Sequence, residues 1–217
     1  MNMVHQGKIR PNTPITWSYS KDDAWNFADD AFKYIVDKTG TLQTAETLSI
    51  SALEMNSFYN SVYGSHMAEI SALFGCSVFD AGSQCKERFA RWVQATHWYC
   101  NTRWAFRGAL THENIGPIYP VQFEEPNCEN GTKSCHCSEG AYVRGQRASA
   151  FGRKMKTTWG NFYKTGNSNL KSFSDMEMNA FNVVSSSKWT QEAIREWVEC
   201  DTLDAVHNAN FGYTFGY

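Results

Sequence analysis

Long apolar runs are missing from this chain. No stretch approaches the roughly 18 residues that a helix needs to span a bilayer, which excludes a helical membrane anchor within these residues. Charge of one sign is missing as well. Twenty Lys and Arg stand against 22 Asp and Glu, a formal charge of −2, so nothing electrostatic points to nucleic acid or an anionic membrane as partner. Glycine-rich phosphate loops, internal repeats and linker-like stretches are absent, and no C-x-x-C pair occurs. The opening residues, MNMVHQGKIRPN, hold no apolar signal region. The expectation is that a leader has been removed or that position 1 is not the true beginning.

Rings and cysteines are what the chain has in surplus. Aromatic content is 15% against 19% charged residues, which implies a large core or a broad binding surface. At 217 residues the chain can bury one sizeable core. Cysteines stand at 76, 85, 100, 128, 135, 137 and 200. Asn130-Gly131-Thr132 is a glycosylation sequon, making Asn130 a candidate acceptor. Cysteines and sequon together favour an oxidising, extracellular setting. The odd count leaves one thiol free or bonded to another chain.

Pro14–Tyr19 reads as a short strand, and Ser20-Lys21-Asp22-Asp23 opens a helical pattern through Ala24, Phe27, Ala31 and Ile35. Residues 46–74 are helix-rich with an interruption near Gly64. A helix is expected over about 86–97, after a small loop bracketed by Cys76 and Cys85, and a further helical turn or two within 101–110. Pro117–Glu124 is the second strand, which Pro120 pushes towards an edge or a bulge. A polar loop, 125–140, follows. A helix over about 149–164 carries Met155, Trp159 and Phe162 on one face and stops at Lys164-Thr165-Gly166-Asn167. Ser174-Asp175-Met176-Glu177 is a capping box for a short helix. A last helix, about 190–205, turns Ile194, Trp197, Val198 and Ala205 inward. Two strands with six or more helices do not close a sheet of their own, so the chain reads as part of something larger.

Five segments, in order, resemble the C-terminal half of carboxylesterases and cholinesterases. They are Pro14–Phe27, Cys100-Asn101-Thr102-Arg103 with Ala105, Pro117–Glu124 with Tyr119 and Phe123, Met155–Asn169 (MKTTWGNFYKTGNSN), and Trp197–Asp201. Together they span most of 8–205. The resemblance implies an α/β fold, the C-terminal half of an α/β-hydrolase: helix-rich, with a few strands completing a sheet supplied by a partner chain. Residues 1–217 would then be the C-terminal portion of a single hydrolase domain. The family's histidine lies in a histidine-glycine-x-glutamate motif followed by tyrosine-valine. Here His136-Cys137-Ser138-Glu139 precedes Tyr142-Val143, so the resemblance places the triad histidine at His136 and the triad acid at Asp23. It also implies a Cys100–Cys200 disulfide, and Cys76–Cys85 would be a second, local bridge.

The fold's chain order is nucleophile, acid, histidine, and no G-x-S-x-G occurs in the 217 residues. The nucleophilic serine is therefore expected on a separate N-terminal chain. The implied activity is cofactor-free hydrolysis of a small carboxylic ester. The alternative is a catalytically silent relative used for adhesion or assembly. Other readings of the same residues stay open. Asp23 can be a first-turn carboxylate of a helix capped by Ser20, and Asp22 competes for the acid's place. Cys128, Cys135, His136 and Cys137 invite a zinc reading, against which three consecutive residues cannot easily aim at one tetrahedral ion. Cys137 stands where the family has glycine, so a positive φ there would strain the backbone.

Overall fold

The structure, a computed structural model, describes residues 6–28, 32, 50–128, 131–173, 180–193 and 195–211. The chain divides into two compact units. One is built from Met1–Asp23 and Asn101–Val198; the other from Ala24–Cys100 and Glu199–Phe215.

The first unit is a mixed α/β structure around a four-stranded sheet. Strands β1 (Ile15–Ser20), β2 (Ile118–Phe123), β3 (Ala180–Val184) and β4 (Trp189–Ala193) lie in that order. The first three run parallel and β4 is antiparallel to β3. β1 and β2 lie within one residue of the spans their alternation predicts. Their register, Ile15 opposite Ile118 through Ser20 opposite Phe123, brings both strands to their C-terminal ends at one level.

β2 is not an edge strand. It is buried at all six positions between β1 and β3, which corrects the expectation drawn from Pro120. The β2–β3 ladder begins one residue later, at Val121 opposite Asn182. Pro120 therefore needs no N–H on that side, and its carbonyl accepts from Asn182 Nδ2 at 3.0 Å.

β3 and β4 were not expected at all. Residues 185–188 join them in a tight hairpin, with Ser185 N–H donating to the Lys188 carbonyl at 2.7 Å. In β4 the strand formers Trp189 and Thr190 are followed by Glu192 and Ala193, which disfavour strands, and the ladder with β3 holds all five residues extended. The capping-box segment 174–177 lies outside the described residues.

Among the described residues the longer helices are, in chain order, α1 (Ala52–Tyr63), α2 (Met67–Phe74), α3 (Gly82–Gln94), α4 (Cys100–Ala109), α5 (Gly140–Val143), α6 (Ala150–Thr165) and α7 (Arg195–Phe211). Of these, α6 covers the sheet. Ser149 caps α6 by accepting from Gly152 N–H at 2.9 Å. Phe151, Met155 and Trp159 bury against Val121, Phe123 and Val184 of the sheet, a face of four-residue spacing, while Phe162, expected on it, is half-buried. The helix stops because Gly166 turns left-handed at φ 74 and returns its N–H to the Phe162 carbonyl at 2.8 Å. A side chain there would also meet Pro14, since a Cβ would lie 2.4 Å from its Cγ.

The second unit is helical. Ser51 and Glu54 form a capping box at the head of α1. Phe32, Phe58, Phe89 and Trp92 meet edge to face in its core, with centroids 5.0–5.9 Å apart. A π-helical segment, Ala95–Tyr99, continues α3 without a break, where a helix ending near 97 was expected. α7 starts five residues later than predicted because β4 takes the first part of the span. Its inward face is Cys200, Leu203 and Val206. Val198 and Ala205 are exposed, so the expected inward face is rotated. Ile194 and the side chain of Trp197 lie outside the described residues.

Candidate active site

The site lies in the first unit and follows from the level ends of β1 and β2. Past Ser20 the ladder continues for one bond, Lys21 N–H to the Phe123 carbonyl at 2.8 Å. The chain then turns, with Asp23 N–H donating to the Ser20 carbonyl at 3.1 Å. Beyond β2 the chain enters the polar loop and folds back on itself through a Cys128–Cys135 disulfide. Ser134 Oγ donates to the Phe123 carbonyl at 2.9 Å. Asp22 clasps the returning strand on both sides: its N–H donates to the Ser134 carbonyl, and its Oδ2 accepts from Ser134 N–H, each at 2.9 Å.

This clasp sets Asp23 and His136 face to face. His136 Nδ1 lies 2.8 Å from Asp23 Oδ1. With the carboxylate ionised, Nδ1 carries the proton and Nε2 becomes the basic nitrogen. Asp23 is buried and His136 is 44% exposed at its side chain. The pair is thus anchored on the protein side and accessible on the other. Burial raises the Asp23 pKa above the ordinary carboxylate value, opposed by the charge and hydrogen bond of His136 and reinforced by the nearby Glu139.

Two open readings close here. Ser20 ends β1 with its hydroxyl donating to Glu139 Oε2 at 3.3 Å, and a 3₁₀ turn, Trp25–Phe27, comes soon after Asp23. Asp22 faces the Ser134 backbone, not the histidine. Cys128 and Cys135 share a disulfide, which removes two of the four ligands of the zinc reading. Cys100 is joined to Cys200 and Cys76 to Cys85. Cys137 is the thiol left over, exposed and at φ 59. Partial desolvation and the negative charges of Glu139 and Asp23 push that thiol up. Asn130 lies outside the described residues.

Sequence reasoning missed the clasp itself. Asp22 was visible only as a rival for the acid, and nothing in its spacing from Ser134 marked a loop anchor. Chemically, a buried carboxylate orienting a half-exposed imidazole is an acid–histidine pair able to take and return a proton. No protein-family model matches the chain, and none of the curated proteins compared with it is similar in sequence. Three disulfides fit an extracellular or secreted protein. Among the described residues, no helix is long and apolar enough to cross a membrane.

Proposed function

We propose that this chain supplies the acid and the histidine of a serine carboxylic ester hydrolase of the carboxylesterase and cholinesterase type, as the C-terminal portion of one α/β-hydrolase domain. The observation that carries the reading is the 2.8 Å contact between Asp23 Oδ1 and His136 Nδ1, at the C-terminal ends of adjacent parallel strands. Side chains in this fold act at those ends. His136 takes the proton of an attacking serine through Nε2 and returns it to the leaving alcohol. Asp23 holds the tautomer and stabilises the imidazolium.

The serine comes from an N-terminal partner chain whose strands extend the sheet. β1 supports this: among the described residues it pairs only with β2 and leaves one edge for another strand. The substrate is a small ester, and no cofactor is needed. The second reading, a silent relative used for adhesion or assembly, draws its support from Cys137 at φ 59 beside the histidine. A serine-directed phosphonate decides between them. Applied to the natively purified protein, it labels a co-purifying chain in the wild type and fails to do so after His136→Ala. An unlabelled wild type, or a monodisperse chain purified without a partner, would refute the hydrolase reading.

A further inference from the structure

Independently of that reading, we infer that a depression beside α6, between Lys156 and Lys164, is a binding site for an acidic sugar, a pyranose carrying sulfate or carboxylate. The cavity has a volume of about 450 Å³ and lies within the first unit. Gly160 lines it, with Lys156 one turn before and Lys164 one turn after on a single stripe of the helix, and Val143 and Trp159 give it an apolar wall. Glycine in mid-helix costs about 1 kcal/mol relative to alanine, and nothing in the packing demands it here. A Cβ at Gly160 would meet no atom within 4 Å. By contrast, a Cβ at Gly152 of the same helix would lie 2.0 Å from the Arg147 carbonyl. What a side chain at Gly160 would fill is the cavity it lines.

The two lysines flank the notch about 12 Å apart along the axis, within reach of one ligand from both sides. Neither makes an ion pair among the described residues, and the cavity has no acidic residue in its lining. Lys156 is laid down in a fixed direction, because Gly145, left-handed at φ 74, leaves room for its stem. A Cβ at Gly145 would come within 3.1–3.4 Å of Lys156 Cδ, Cε and Nζ. Thr157 and Asn161 add hydroxyl and amide groups to the wall, and Tyr163 stands 74% exposed at the rim. Two ammonium groups, two neutral hydrogen-bonding side chains and an aromatic face match one chemistry. An acidic sugar presents an anion, hydroxyls and a C–H face together. A bare inorganic anion would use only the first of these.

The test titrates the purified protein with a sulfated, uronate-containing disaccharide, with the neutral disaccharide of the same backbone, and with inorganic sulfate. Binding is read by calorimetry and by amide NMR shifts over residues 156–164. The acidic disaccharide should bind with salt-dependent affinity, at least about tenfold tighter than either control. Gly160→Leu and Lys156→Gln/Lys164→Gln should each weaken it about tenfold or more. Gly160→Leu should leave thermal unfolding unchanged or raised, because leucine is the better helix former. An octasaccharide that binds more tightly assigns the sugar to a polysaccharide chain, and equal binding assigns it to a free sugar; both support the site. Sulfate binding as tightly as the disaccharide, no binding at all, or both variants binding like wild type would overturn it.

Discussion

Removing the Cys100–Cys200 bridge should cost this protein about twice what either other disulfide is worth. The bridge spans 100 residues of sequence, against 9 for Cys76–Cys85 and 7 for Cys128–Cys135. Loop-closure entropy values these at about 4.7, 2.6 and 2.3 kcal/mol. The long bridge also ties α7 to the helical unit, where Cys200, Leu203 and Val206 enter the aromatic core. Both sulfurs are buried, so Cys100→Ala/Cys200→Ala adds a cavity term of about 1 kcal/mol. The expected loss is roughly 5–6 kcal/mol, comparable with the whole stability of many domains. Urea unfolding followed by tryptophan fluorescence reads it, with Cys128→Ala/Cys135→Ala as internal reference. The m-value should rise in the long-bridge variant, because its unfolded chain expands further. A loss no larger than that of the Cys128–Cys135 variant would refute the reasoning and show that packing alone holds α7 in place.

Asp23 and His136 give a paired expectation. Burial raises the Asp23 pKa and His136 opposes that rise, so His136→Ala should raise it further, as read by carboxyl NMR titration; a fall would refute the pairing. A carboxyl raised in the folded state makes stability decline as pH rises from its unfolded to its folded pKa. Asp23→Asn should therefore cost no stability at pH 7, and marked destabilisation would refute this; under the proposed hydrolase function it should also lower turnover by several orders of magnitude. At Cys137, φ 59 strains a side chain, so Cys137→Gly should stabilise by about 0.5–1 kcal/mol in denaturant titration; destabilisation would show that the thiol packs usefully. His207 accepts or donates to Tyr63 Oη at 3.2 Å, and burial depresses its pKa to about 4. A depressed histidine contributes no loss above pH 6.5, and stability then falls as pH drops to about 4, where the loss saturates. Discounted for solvent screening, the fall is about 2 kcal/mol, and His207→Gln should flatten it; an unchanged pH profile would refute the assignment.

Local signals carried far into the structure. The apolar face of α6 and its glycine stop are properties of 16 consecutive residues and one left-handed turn, so periodicity and Gly166 sufficed to place both ends. β1 and β2 were legible because short alternating runs with prolines at their heads have few other conformations. The residues flanking His136 and Asp23 single both out in the sequence. What tertiary structure decided depends on parity and partners. Asp22 and Asp23 are adjacent, and their side chains diverge. Which one faces the histidine follows from Ser20 lying opposite Phe123 and from the clasp on Ser134. Pro120 could enter a central strand only because β3 begins to pair one residue later. β3 and β4 exist because each supplies the other's ladder, and the inward face of α7 is set by where Cys100 holds Cys200. Of the three cysteines in the polar loop, the hairpin that Cys128 makes with Lys133 chose Cys135 as partner and left Cys137 at the surface. Each of these outcomes rests on a contact between residues far apart in the chain, whose direction no short window of sequence contains.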